Sequence, residues 1–126
     1  MTLNIQTFFR ALGDITRIRC LLLLQQEGEL CVCELTYALD AVQPKISRHL
    51  ASLREAGVVQ DRREGLRIYY RPHPQLPSWA QQVLRSTAQG VAAEEQFAAD
   101  RRTLARMPNR PESPRRIIGK AACATS

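Results

Sequence analysis

Apolar residues recur at helical spacing through most of this chain, and the rhythm breaks once, between Gly57 and Arg71. Residues 3–12 read as a first helix whose apolar content is Phe8, Phe9 and Leu12. Asp14 is suited to N-cap a second helix running to about Gln26. Ala11, Ile15, Ile18 and Leu22 repeat along it, so that face is the expected core, and Gly28 ends it. Leu35 and Leu39 place a third helix over residues 31–39. After a short connection, Pro44 opens a fourth helix at a position where its missing N–H costs nothing. In that helix Ile46, Leu50 and Leu53 turn inward, while Lys45, Ser47, Arg48 and Arg54 fall largely on other faces; Gly57 stops it.

Two short strands follow, at about residues 58–62 and 67–71, with Gly65 supplying the permissive backbone between them. Two helices, a short turn and then a basic hairpin describe a mainly α fold with a small β-hairpin, the winged helix-turn-helix. From 77 to 106 the helical pattern returns around Trp79, Val83 and Leu84, with Gly90 leaving open one helix or two. That region and the first helix carry more apolar surface than so small a unit needs. A homodimer joined through the N- and C-terminal helices is the expected outlet, because helix-turn-helix proteins usually read two half-sites as dimers. Residues 1–106 are thus expected as one DNA-binding and dimerisation domain. Residues 107–126, with Pro108, Pro111 and Pro114 among Arg110, Arg115, Arg116 and Lys120, read as a disordered basic tail.

Charge sharpens this picture. The 126 residues carry a net charge of +6, which suits a polyanionic partner. Between residues 41 and 71, Lys45, Arg48, Arg54, Arg62, Arg63, Arg67 and Arg71 face only Glu55, Asp61 and Glu64. Double-stranded DNA is the expected partner. Gln43 and Arg48 can read adenine and guanine edges, while Lys45 and Ser47 more often bind phosphate. Arg62, Arg63 and Arg67 are placed for backbone or minor-groove contact. His49 reads equally as a base contact or as a structural histidine leaning inward. Met1 to Arg10 lacks a basic start followed by an apolar stretch, so no signal peptide is expected. The longest apolar run, Cys20 to Leu24, is far short of the ~20 residues of a membrane helix. A cytoplasmic protein without a membrane partner is the expectation. There, four cysteines are read as ligands or redox groups before structural disulfides.

Cys31 and Cys33 stand where the third helix begins. The positive end of the helix dipole favours thiolate there, making soft ligands and nucleophiles. Soft thiolates select arsenic(III), antimony(III) and similar species over hard cations. On a regular helix, residues two apart point about 200° away from each other, so joint capture of one ion should unwind the first turn. The competing reading is two small cysteines filling a helix contact. Cys20 lies opposite Ile18 and Leu22 and reads as packing or as a third ligand; Cys123 is incidental or a mobile extra ligand. A thiol enzyme is not expected, since neither a CxxC pair nor an oxyanion loop is present.

The segments Gly28-Glu29-Leu30-Cys31-Val32-Cys33-Glu34-Leu35, Gln43-Pro44-Lys45-Ile46-Ser47-Arg48-His49-Leu50 and Tyr69-Tyr70-Arg71 resemble the arsenic-responsive repressors of the ArsR/SmtB family of winged-helix metalloregulators. The resemblance covers about residues 8–79. It implies a homodimeric repressor of an arsenic-resistance operon that leaves its operator when arsenite, antimonite or a trivalent organoarsenical binds. Cys31 and Cys33 would then be the inducer ligands, and the helix from Pro44 the recognition helix; no cofactor is expected for DNA binding itself. Many such repressors carry a third cysteine where this chain has Thr36, and Ser where it has Val42. Two thiols fit an arsenical with only two open positions. Related cadmium and lead sensors use additional N-terminal cysteines, which residues 1–19 lack, and related zinc sensors use C-terminal histidines, which residues 77–106 lack. The alternatives are a DNA-binding repressor that senses another soft metal, cadmium or lead, and a redox switch in which Cys31 and Cys33 are oxidised, since a CxC disulfide is strained and labile.

Overall fold

The computed structural model describes residues 3–117 of the chain. Helix α1 (Ile5–Ala11) is capped by Asn4, whose Oδ1 accepts the Thr7 N–H at 2.9 Å. Helix α2 (Ile15–Glu27) begins at Asp14, whose carboxylate accepts the N–H groups of Thr16 and Arg17 at 2.8 and 3.1 Å. Gly28, at φ 92°, turns the chain into a two-residue strand β1 (Leu30–Cys31) that the hydrophobic pattern was too short to reveal. Helices α3 (Val32–Leu39) and α4 (Gln43–Glu55) form the helix-turn-helix, linked through Asp40 at φ 50°. Val42 caps α4 without any side-chain hydrogen bond, the consequence of having no hydroxyl there.

Strands β2 (Val59–Glu64) and β3 (Arg67–Pro72) make the wing, turning at Gly65 with φ 61°. The sheet is antiparallel in the order β1-β3-β2, with Leu30 opposite Tyr70 and Cys31 opposite Tyr69. The C-terminal helical region divides into α5 (Ser78–Val91) and α6 (Glu95–Ala105), so the break falls after Gly90 rather than at it. Helix α6 packs on α2 and α3, anchored by a two-pronged pair in which Arg19 donates to Asp100 at 2.8 and 2.7 Å.

Ile46, Leu50 and Leu53 are fully buried, as their spacing requires of the underside of α4. The expected inward face of α2 is different. Its buried residues are Thr16, Cys20, Leu21, Leu23 and Leu24, whereas Ile15 is 49% exposed and Ile18 and Leu22 are half-buried. The reason is tertiary: α2 is packed by α3, α4, α5, α6 and β3, and the Ile15–Ile18–Leu22 stripe is the side left uncovered. Ile5, Ile15 and Trp79 are also exposed, and Ile18 and Leu22 of that stripe join Phe9 in an open apolar face. A groove of about 220 Å³ between Phe9, Leu12, Ile18, Leu22 and Val83 runs through it.

Residues 108–117 differ from the disordered tail that their composition suggests. They lie against the end of α2 and the start of α3, where the Ile117 N–H donates to the Glu27 carbonyl at 2.7 Å. The Tyr69 hydroxyl donates to the Glu112 carbonyl at 3.4 Å. Their arginines read as solvated charge in sequence, but the fold presents Glu27, Glu29 and Glu34 to them. Residues 118–126, which include Cys123, lie outside the described residues.

Candidate functional site

Cys31 is not in the helix at all. It is the N-cap of α3, in extended backbone at φ −71°, ψ 152°, and only Cys33 lies in the first turn. This overturns the expectation of sulfurs on opposite sides of a helix. Cys33 Sγ donates to Cys31 Sγ at 2.7 Å, and the Cys33 N–H donates to the same sulfur at 3.4 Å. Two thiolates bound at about 2.3 Å to one soft centre stand on the order of 3.5 Å apart, so small side-chain rotations suffice for capture. No unwinding is required.

The pair is asymmetric. Cys31 is 2% exposed, while Cys33 is exposed. The sulfur of Cys33 nevertheless lies against its partner, and local desolvation, then the hydrogen bond to Cys31, push its thiol up to about 12. The helix dipole favours thiolate at this position, but at Cys33 desolvation and the neighbouring sulfur win. Glu34 completes the cap in reverse, its carboxylate accepting the Cys31 N–H at 2.8 Å.

In front of the thiols is a cavity of about 540 Å³. Its walls come from α3 (Cys33, Tyr37), the start of α4 (Gln43, Ser47) and the tip of the wing (Leu66, Arg67). The sulfurs, the helix that would enter a groove and the hairpin beside it therefore share one space. Thr36, at the position of the missing third cysteine, also lines it, but its Oγ1 donates back to the Val32 carbonyl at 2.9 Å.

No group of three His, Cys, Asp or Glu able to hold an ion occurs among the described residues. Cys20 belongs to no such group among the described residues. It is fully buried in the core, and burial pushes its thiol up to about 12.

The sequence-selected basic residues separate into two groups. Gln43, Lys45 and Arg48 are exposed on α4, Ser47 is half-buried beside the thiol cavity, and Arg63 and Arg67 are exposed on the wing. His49 instead leans onto α2. Its Nδ1 stands 3.4 Å from Arg17 Nη1 and its Nε2 3.9 Å from Asp14, and burial holds its pKa below the usual range. Arg62 also turns inward. It donates to the fully buried Glu29 at 2.9 and 2.7 Å and to Glu64 at 2.7 Å, and its guanidinium lies 4.4 Å over the Tyr69 ring. Burial alone would raise the Glu29 carboxyl, but hydrogen bonds from Arg62 and Ser113 outweigh it and hold the group below the ordinary carboxylate range. A basic hairpin residue is indistinguishable in sequence from its neighbours; only the sheet register, which sets Arg62 opposite Tyr69, shows which one faces in.

Similarity to known proteins bears on this arrangement. The model of the family described as "Bacterial regulatory protein, arsR family" matches residues 14–61, from the α2 cap through α3 and α4 into the wing. The arsenic resistance transcriptional regulator ArsR1 of Pseudomonas putida is 53% identical over 106 residues, 84% of this chain and 81% of that protein. Among solved structures, the AntR antimony-specific transcriptional repressor aligns with a TM-score of 0.61 at 26% identity, over 73% of this chain and 80% of its own. A homodimeric winged helix-turn-helix DNA-binding domain from Mycobacterium bovis aligns at 0.58 with 31% identity, over 72% and 80%. With the winged architecture in place and half the residues shared across most of both chains, the protein belongs to the ArsR family of bacterial regulatory proteins.

Proposed function

We propose that this protein is a homodimeric transcriptional repressor of an arsenic-resistance operon, and that trivalent arsenic or antimony captured by Cys31 and Cys33 releases it from operator DNA. The observation that carries the reading is the shared cavity: whatever fills the space at the thiols presses on Gln43 and Ser47 of α4 and on Leu66 and Arg67 of the wing. Release follows from a change in the angle between reader and wing. The relatives' names agree with it, arsenic resistance for one and antimony-specific repression for another. The exposed side chains of Ile5, Phe9, Ile15 and Trp79 supply the surface on which two copies pair.

On DNA, Gln43, Lys45, Ser47 and Arg48 enter the major groove, while Arg63 and Arg67 hold the backbone beside it. Arg48→Ala should weaken specific binding by roughly 1–3 kcal/mol and relax base preference at one position. Unchanged affinity and preference in a binding-site selection would remove Arg48 from base reading.

Two adjacent thiols with no third donor beside them among the described residues suit an arsenical that keeps one substituent, and Leu66, Ile68, Tyr37 and Met107 offer that substituent an apolar wall. The effector chemistry also follows from the protonated thiol. Arsenous acid is neutral, and each As–S bond that forms takes one hydroxyl from arsenic, which leaves as water with the thiol proton. A cadmium ion has no hydroxyl to give, so the Cys33 proton must go to solvent. Because the Cys33 thiol sits far above neutral pH, raising pH favours the cation. The proton held on Cys33 should make cadmium affinity climb by about 10-fold per pH unit between about pH 6 and 8, with arsenite affinity nearly flat. Equal slopes would count against this exchange.

The reading as a whole is tested by fluorescence anisotropy on operator-like DNA, titrated with arsenite, phenylarsine oxide and peroxide. Release is expected with the two arsenicals. Release with peroxide alone would instead establish a redox switch.

A further inference from the structure

Glu34 is completely enclosed, yet its charge is matched from far along the chain. Arg110 Nε donates to its Oε2 at 2.5 Å, and Arg116 Nη2 donates to its Oε1 at 3.0 Å, the same oxygen that accepts the Cys31 N–H. Each arginine makes a second anchor. Arg110 Nη2 reaches Glu27 at 2.6 Å, and Arg116 Nε reaches the Glu29 carbonyl at 2.9 Å. Between them the Ser113 hydroxyl donates to Glu29, the carboxylate that also holds Arg62. The fit is close: a Cβ at Gly28 would stand 2.7 Å from Ile117 and 2.8 Å from the Arg115 carbonyl.

A carboxylate this deeply buried stays in place only while charged donors meet it. Here those donors are supplied after α6 has ended. Without them Glu34 must turn toward water, the Cys31 N–H loses its acceptor, and the first turn of α3 loses the cap that sets the two sulfurs side by side. We propose that Arg110 and Arg116 are positioning residues for the thiol pair: the segment 108–117 is a strap that holds Glu34 in its capping position and thereby keeps Cys31 and Cys33 arranged for joint capture of a metalloid. This deepens the proposed function and rests on it for the identity of the ligand. Arg115 is a built-in control, since it is 46% exposed and reaches Glu29 only at 3.8 Å.

The test uses the full chain as wild type, Arg110→Ala, Arg116→Ala and Arg115→Ala, with Arg116→Lys as a milder change that keeps charge but not the two-point bridge. Arsenite binding is followed by arsenic–sulfur absorption, hydrogen exchange is read at the Cys31 amide, and operator affinity and melting are measured without arsenite. Arg110→Ala and Arg116→Ala should bind arsenite about tenfold more weakly, in the range seen when groups supporting ligands are removed. Their Cys31 amide should exchange faster, with operator affinity unchanged and Arg116→Lys falling between. Arg115→Ala should match wild type throughout. Arsenite affinity within about twofold of wild type in both arginine variants overturns the proposal. Should wild type itself not take up arsenite, the regulator reading fails, and the Cys31 exchange rate still decides the strap: unchanged exchange rejects it.

Discussion

Cys33→Ser should leave operator affinity at the wild-type level and abolish release by arsenite. The rest of the cavity wall and α4 are untouched by an exchange of sulfur for oxygen at an exposed position. What is lost is half of a two-sulfur site with no third donor beside it among the described residues. Removing groups that merely support ligands costs roughly 10–100-fold in affinity, and losing one of two ligands should exceed the upper end. A hydroxyl is a poor partner for soft arsenic, so no compensation is expected. The measurement is anisotropy against arsenite concentration for both proteins. A Cys33→Ser midpoint within a few-fold of wild type would place the effector elsewhere.

The second large effect concerns folding. Arg62→Ala leaves the fully buried Glu29 facing only Ser113 and the distant Arg115 guanidinium. Breaking a buried pair by removing one member costs about 3–5 kcal/mol, and with those partial substitutes the lower end is expected, roughly 3 kcal/mol. In a chain of this size that lowers the melting temperature by about 10 °C at fixed protein concentration. The pH dependence has a definite sign. In wild type the Glu29 pKa is depressed, so its contribution is present above the ordinary carboxylate pKa and lost as pH falls through the folded value. In Arg62→Ala the unpaired carboxyl prefers its proton, so the deficit should shrink in acid. Arg63→Ala and Arg67→Ala should do the opposite, leaving stability alone and each reducing the salt dependence of DNA binding by about one unit of slope. A stable Arg62→Ala with the same loss of DNA binding as Arg67→Ala would return Arg62 to the DNA surface.

The two substitutions also separate what each level of description supplies. The helix-turn-helix was readable because its signals are local. Asp14 caps, Gly28 and Gly57 stop, Pro44 starts, and the Ile46, Leu50 and Leu53 spacing follows from 3.6 residues per turn. The match of residues 14–61 to the family model falls on that same stretch. Signals that depend on distant partners were read less well. Ile15, Ile18 and Leu22 have helical spacing, but spacing identifies a face without saying which neighbour covers it. His49 and Arg62 carry the same chemistry as the residues around them, and only Arg17 and Asp14 for one and Glu29 for the other reveal the inward turn.

By itself the sequence determined the architecture, the family and the two sulfurs beside the reader, because short-range periodicity, turn residues and residue type are properties of neighbouring positions. Tertiary structure decided how those sulfurs stand. The strand pairing of Leu30 and Cys31 with Tyr70 and Tyr69 draws Cys31 out of the helix and into its cap, so an i, i+2 pair that a regular helix would hold apart comes into contact. It also decided the place of residues 108–117, whose Arg110 and Arg116 meet the carboxylates of Glu27 and Glu34 about eighty residues upstream. No local rule carries that information, since the energy of a buried charge depends on what the rest of the chain brings to it.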